Sequence, residues 1–226
     1  MRNKRRIGQP YRTLLFVAIV TVAMAVIIDR IAIVVGTSVI KDSDIDREIR
    51  ITDFVNGDRL DLSEAARKQA ADRLIDQALI RKEIEVGEYA QATPADAEKM
   101  LAQIRKQRYR TEASFNSALK RYGVTEPQLL AQLRWQMTVL QFIDQRFRPG
   151  VLVSDEQINN YYNEHIAELT QANGGKRPTL DEARQQIENA LTGEQVNQQF
   201  YAWLDQQRKQ TNIEYHEPGL RLSKGR

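Results

Sequence analysis

The chain has 226 residues, 42% hydrophobic and 28% charged, which suits a folded protein with one sizeable core or two small ones and excludes wholesale disorder. Formal charge is +3, but residues 1–25 carry Arg2, Lys4, Arg5, Arg6 and Arg12 with no acid, and the remainder holds 28 basic and 30 acidic residues. The basicity belongs to the N-terminal segment, so a nucleic-acid-binding domain is not expected. The absence of cysteine excludes disulfides, thiolate catalysis and cysteine zinc sites.

Residues 1–25 have the layout of an export signal: a basic stretch, the apolar run from Leu14, and Ala23-Met24-Ala25 as a small-x-small cleavage pattern. Leu14 to Ile28 is 15 residues, short of the roughly 20 a spanning helix needs. A cleaved signal peptide is the leading expectation, and an uncleaved membrane anchor through residues 14–28 is the alternative. Either sends the folded part across the membrane.

Ile31, Ile33, Val34 and Val35 favour an extended strand. Gly36, Thr37 and Ser38 supply a turn, and Val39-Ile40 resumes the strand. A helix follows, from about Asp44 to Val55, with Ser43 and Asp46 read as its capping box and Asn56-Gly57 as its stop. Leu62-Ser63-Glu64 opens a longer helix to Val86, with Ala70, Leu74, Ile75 and Leu79 on one stripe. Thr93-Pro94 and Thr111-Glu112 start the next two, the second closed by Gly123.

The helix from about Glu126 to Phe147 is apolar on two sides. Leu129, Leu133, Met137, Leu140 and Phe147 share one face, while Trp135, Val139 and Phe142 lie nearly opposite. Such a helix is either sandwiched between two layers or leaves its aromatic face open to a partner. Trp135, Val139 and Phe142 are therefore the candidate client-binding residues.

Pro149-Gly150 ends that helix, and Ser154 caps a short one carrying Ile158, Tyr161 and Tyr162. Residues 169–178 read as a linker, and Thr179 opens the last helix. Its apolar face shifts by about half a turn beyond Gly193, so it either kinks there or crosses from one packing partner to another. Residues 213–216 predict a final strand pairing with Ile31–Val35, and Pro218 to Arg226 a loose tail. The fold class expected is mainly α with a small β-ribbon built from both chain ends.

No catalytic constellation emerges. His165 and His216 stand about fifty residues apart without metal-pair spacing. No G-x-S-x-G, G-x-x-x-x-G-K or G-x-G-x-x-G occurs, and the carboxylates fall at caps and polar faces. Neither an enzyme, a metal site nor a cofactor is expected.

The order of these parts resembles SurA-type periplasmic chaperones. The resemblance rests on Asp29 to Gly36 leading to Val39-Ile40 and a helix, on Leu74 to Ile80, on Phe115, Leu119, Tyr122-Gly123 and Leu129 to Arg134, and on Val153 to Ile158 with Tyr161-Tyr162. It covers residues 28–165 and resumes from Leu180 to Tyr215, which resemble the family's C-terminal helix that packs back on the N-terminal region. Residues 26–168 would be the helical chaperone domain and 179–216 its C-terminal complement. Where the family carries parvulin-type prolyl isomerase domains, this chain has only Ala167 to Pro178, too short for a domain, so isomerase activity is not carried over. The resemblance implies a periplasmic, ATP-independent holdase of unfolded outer-membrane and other exported proteins; the alternatives are a family member with a lost or degenerate isomerase domain and a membrane-tethered assembly partner.

Overall fold

The computed structural model describes residues 29–220. The expected export signal, and the alternative tether through residues 14–28, fall outside the described residues. Among those described, no helix is long and apolar enough to cross a membrane.

A hairpin opens the fold: β1 (Ile31–Val35) and β2 (Ser38–Lys41) pair antiparallel with Val35 opposite Ser38. The two-residue turn needs Gly36, whose φ of +57° is a left-handed conformation that an L side chain resists. β3 (Ile213–Tyr215) pairs antiparallel on the other edge of β1, with Ile33 opposite Tyr215 and Val35 opposite Ile213. The sheet order β2-β1-β3 thus joins both ends of the described chain, as expected from residues 31–35 and 213–216.

Among the described residues, eight helices accompany this sheet. α1 (Asp42–Asn56) begins two residues earlier than expected, and the capping box moves with it: the Lys41 amide donates to Asp44 at 2.9 Å. Ser43, expected as the cap, instead donates its backbone N–H and hydroxyl to the Asp29 carboxylate at 3.1 and 2.6 Å. An acid preceding the first strand therefore holds the first turn of the first helix, a long-range contact that local patterning does not reveal. α2 (Glu64–Val86), α3 (Pro94–Arg108), α4 (Glu112–Tyr122) and α5 (Glu126–Phe147) follow. Ser63, Thr93, Thr111 and Thr125 cap them through side-chain oxygens, satisfying otherwise orphaned backbone donors.

After a 3-10 turn at Arg148–Gly150 come α6 (Asp155–Glu164), α7 (Ile166–Ala172) and α8 (Leu180–Gln210). α7 corrects the linker boundary, because Leu169 is buried and only residues 173–179 separate the last two helices. Pro218–Leu220, expected as part of a loose tail, forms a second 3-10 turn with Leu220 2% exposed in the main core, and the rest of that expected tail lies outside the described residues. α8 runs as one 31-residue helix, and the shift of its apolar face marks a change of partner.

Three apolar clusters organise the packing. The first joins the sheet and α2 to the C-terminal halves of α5 and α8 through Ile33, Ile45, Ile75, Phe142, Phe147 and Phe200. The second lies among α1, α3, α4 and the start of α5, around Phe54, Phe115 and Leu129. The third, Ile158, Leu169, Ala183 and Ile187, binds α6 and α7 to the start of α8. α5 thus spans the first two and α8 the first and third, which explains the two apolar faces on each.

Candidate functional site

The aromatic face of α5 is the sandwiched layer rather than an open patch. Phe142 is completely buried, its ring centroid 5.0 Å from Tyr89, 5.9 Å from Phe147 and 5.5 Å from Trp203. Trp135 is 8% exposed and Val139 is half-buried against the same core. The expectation that Trp135, Val139 and Phe142 form one exposed patch is therefore corrected. α2 and α8 close over this face because their own apolar stripes need the same burial.

Trp135 and Val139 nevertheless reach the wall of an open groove of about 530 Å³, while Phe142 lies beneath it. One side of the groove is α5, with Gln132, Trp135, Gln136, Val139 and Leu140; the facing side is α8, with Phe200, Tyr201 and Leu204. α2 contributes Arg73, Asp76, Gln77 and Ile80, and α1 contributes Glu48 and Thr52. Leu140 and Tyr201 are 68% and 65% exposed, so two large side chains that would gain from burial stand on its rims.

The sequence pattern groups Leu140 with Leu133 on one apolar face, two helical turns further on. Leu133 is buried in the second cluster, but that cluster ends before the helix does, and Leu140 emerges into solvent. Periodicity identifies a face but not the length of the neighbour that covers it. Tyr201 carried a readable signal: it falls between Phe200 and Trp203 but out of phase with both.

The charged groups of the groove are internally neutralised. Glu48, only 6% exposed, accepts from Arg73 Nε at 3.0 Å, Gln77 Nε2 at 3.2 Å and Thr52 Oγ1 at 3.3 Å. A buried carboxylate so fully satisfied stays put as structure. Asp76 accepts from Arg208 Nε at 2.5 Å, and Arg208 also donates to the Asp72 carboxylate at 2.7 Å and its carbonyl at 3.0 Å. Burial pushes the Asp76 carboxyl above its ordinary value, a shift that the Arg208 hydrogen bond only partly offsets. For Arg208 burial opposes the charge, yet the hydrogen bonds it donates to Asp76 and Asp72 outweigh it and raise its pKa.

A second cavity of about 300 Å³ adjoins the groove, sharing Glu48, Gln77 and Gln132 with it, and opens towards β2. The two form one trough between α2 and α5. Arg81 lines the second cavity, its guanidinium carbon 3.8 Å from the centre of the Trp135 ring.

Neither histidine lies in the trough. His165 stacks on Tyr161 at 4.2 Å and meets Glu168 at 3.1 Å, and His216 is exposed at the end of the β3 pairing. Among the described residues no group of three or more histidine, aspartate or glutamate side chains is placed to hold a metal ion. The trough offers apolar surface, aromatic edges and side-chain amides. No family model matches this chain, and no curated protein matches it.

Proposed function

We propose that this protein is an ATP-independent holdase that binds unfolded exported polypeptides, outer-membrane proteins foremost, in the periplasm. The observation that carries the reading is the groove of about 530 Å³ with Leu140 and Tyr201 on its rims and Trp135 and Val139 in its wall. An unfolded client supplies the apolar side chains that such a surface lacks, and many weak contacts need neither a nucleotide nor a catalytic group. The basic stretch and apolar run of residues 1–28 support export, and the resemblance to SurA-type chaperones supports the client class. Trp135 and Val139 remain the client-contacting residues, joined by Leu140 and Tyr201, with Phe142 as the buried support behind them.

The test is light scattering as a denatured outer-membrane β-barrel is diluted with and without the purified full chain. Wild-type protein suppresses scattering near a one-to-one ratio. Leu140→Asp with Tyr201→Asp, two exposed positions that leave the core intact, abolishes the suppression while far-ultraviolet circular dichroism is unchanged. Unchanged scattering with folded wild-type protein overturns the proposal, and equal suppression by the double variant moves the client surface elsewhere.

A further inference from the structure

The second cavity of the trough has an unbalanced charge. Asp44 and Arg47 on its lip pair with each other, and Glu48 in its floor is taken up by Arg73, Gln77 and Thr52. Arg81 has no such partner: among the described residues no carboxylate lies within ion-pair distance of it. One face of its guanidinium rests on Trp135, which fixes its position and removes water from that side, and the other is open to the cavity. Partial burial lowers its pKa and the more distant charges of Glu85 and Glu48 only partly compensate, while the residue as a whole stays exposed to solvent. Gln132 stands where the cavity meets the apolar groove, its amide without a hydrogen-bond partner.

An occupant that satisfies this arrangement carries an anion of carboxylate shape, polar main-chain groups beside it, and an apolar side chain farther along. From Gln132 to Leu140, eight residues of helix span about 12 Å, the length of three to four residues of extended chain. We infer that the trough takes the C-terminal end of an extended polypeptide, with the terminal carboxylate on Arg81, main-chain groups at Gln132, and an apolar side chain between Leu140 and Tyr201. The planar guanidinium suits two-point contact with a carboxylate, and its aromatic platform holds it ready for that contact. This inference rests on the proposed polypeptide binding and adds to it a preference for chain ends.

The experiment is fluorescence anisotropy of the full chain with N-terminally labelled hexapeptides carrying one phenylalanine three residues from an alanine end. Three forms are compared: the free acid, the C-terminal amide, and an amide bearing one internal glutamate. The free acid binds about tenfold more tightly than the amide at low salt, the worth of one charge-assisted contact in a partly screened site. Arg81→Gln removes that difference, and Arg81→Lys restores part of it. Equal binding of free acid and amide to the wild type overturns the carboxylate site while leaving polypeptide binding intact. Tight binding of the internal-glutamate amide overturns the assignment to a chain end. No binding of any peptide overturns both this inference and the function on which it rests.

Discussion

Replacing Arg208 by methionine keeps its aliphatic stem and removes a cation that ties α8 to α2. Arg208 donates three hydrogen bonds to Asp72 and Asp76 at 2.5 to 3.0 Å, and the three side chains are 27%, 33% and 27% exposed. Breaking a fully buried ion pair costs about 3–5 kcal/mol, whereas a fully exposed one is worth about 0–1 kcal/mol. This intermediate site places the loss at about 2–3 kcal/mol near pH 7. The pH dependence follows from Asp76. Its carboxyl is already raised by burial, and without Arg208 the charge of Asp72 raises it further. A carboxyl whose value is higher in the folded than in the unfolded state binds its proton more tightly when folded, so acid favours the folded variant. The same protonation weakens the wild-type pair, and both effects shrink the difference between the two proteins. Urea unfolding followed by circular dichroism at pH 7 and pH 4.5 measures it. A loss below about 0.5 kcal/mol at pH 7, or one that does not fall on acidification, refutes the reasoning.

Phe142→Ala empties the centre of the aromatic cluster and should cost about 3–5 kcal/mol, read as a fall in thermal midpoint of about 10 °C. Gly36→Ala should cost about 1–2 kcal/mol by strain alone, because a Cβ there meets Thr211 Cγ2 at an ordinary 3.5 Å while φ stays at +57°; urea midpoints check it. Hydrogen bonds hold Asp29, Asp96 and Glu182 below the ordinary carboxylate range, from the Ser43 side chain, the Thr93 side chain and the Thr179 backbone respectively. Their stabilisation is complete above the unfolded values near pH 4 and is lost as pH falls through the lower folded values. Unfolding midpoints should therefore drop between pH 4.5 and 2.5, with a shallower drop in Asp29→Asn.

Much of the fold was legible because its signals are local. Ser63, Thr93, Thr111, Ser154 and Thr179 each cap the helix that they introduce, and the β-branched run of Ile31–Val35 with the short segment Ile213–Tyr215 supplies the sheet's centre and one edge. What escaped was decided by contacts between distant segments. The grip of Asp29 on Ser43 and the burial of Leu220 have no local signature. The site was only half legible for the same reason. Trp135 and Val139 were identifiable as an apolar face, but whether Leu140 or Phe142 reaches solvent depends on where α3 ends and where α8 lies. The unpaired charge of Arg81 is visible only once its neighbours are seen to be paired with one another.

The sheet has a consequence for the order of assembly. β1 is the central strand, yet its two neighbours become available at very different times: β2 after two residues, β3 only at Ile213. A chain that crosses a pore N-terminus first must keep the hairpin's outer edge unpaired until nearly all of it has emerged. The entropic penalty of closing so long a loop grows only slowly with its length, so the delay is one of timing more than of stability. During that interval the open edge is a template for any extended strand nearby. A protein proposed to shelter unfolded β-barrels would thus pass through a stage in which its own first strand requires the same protection.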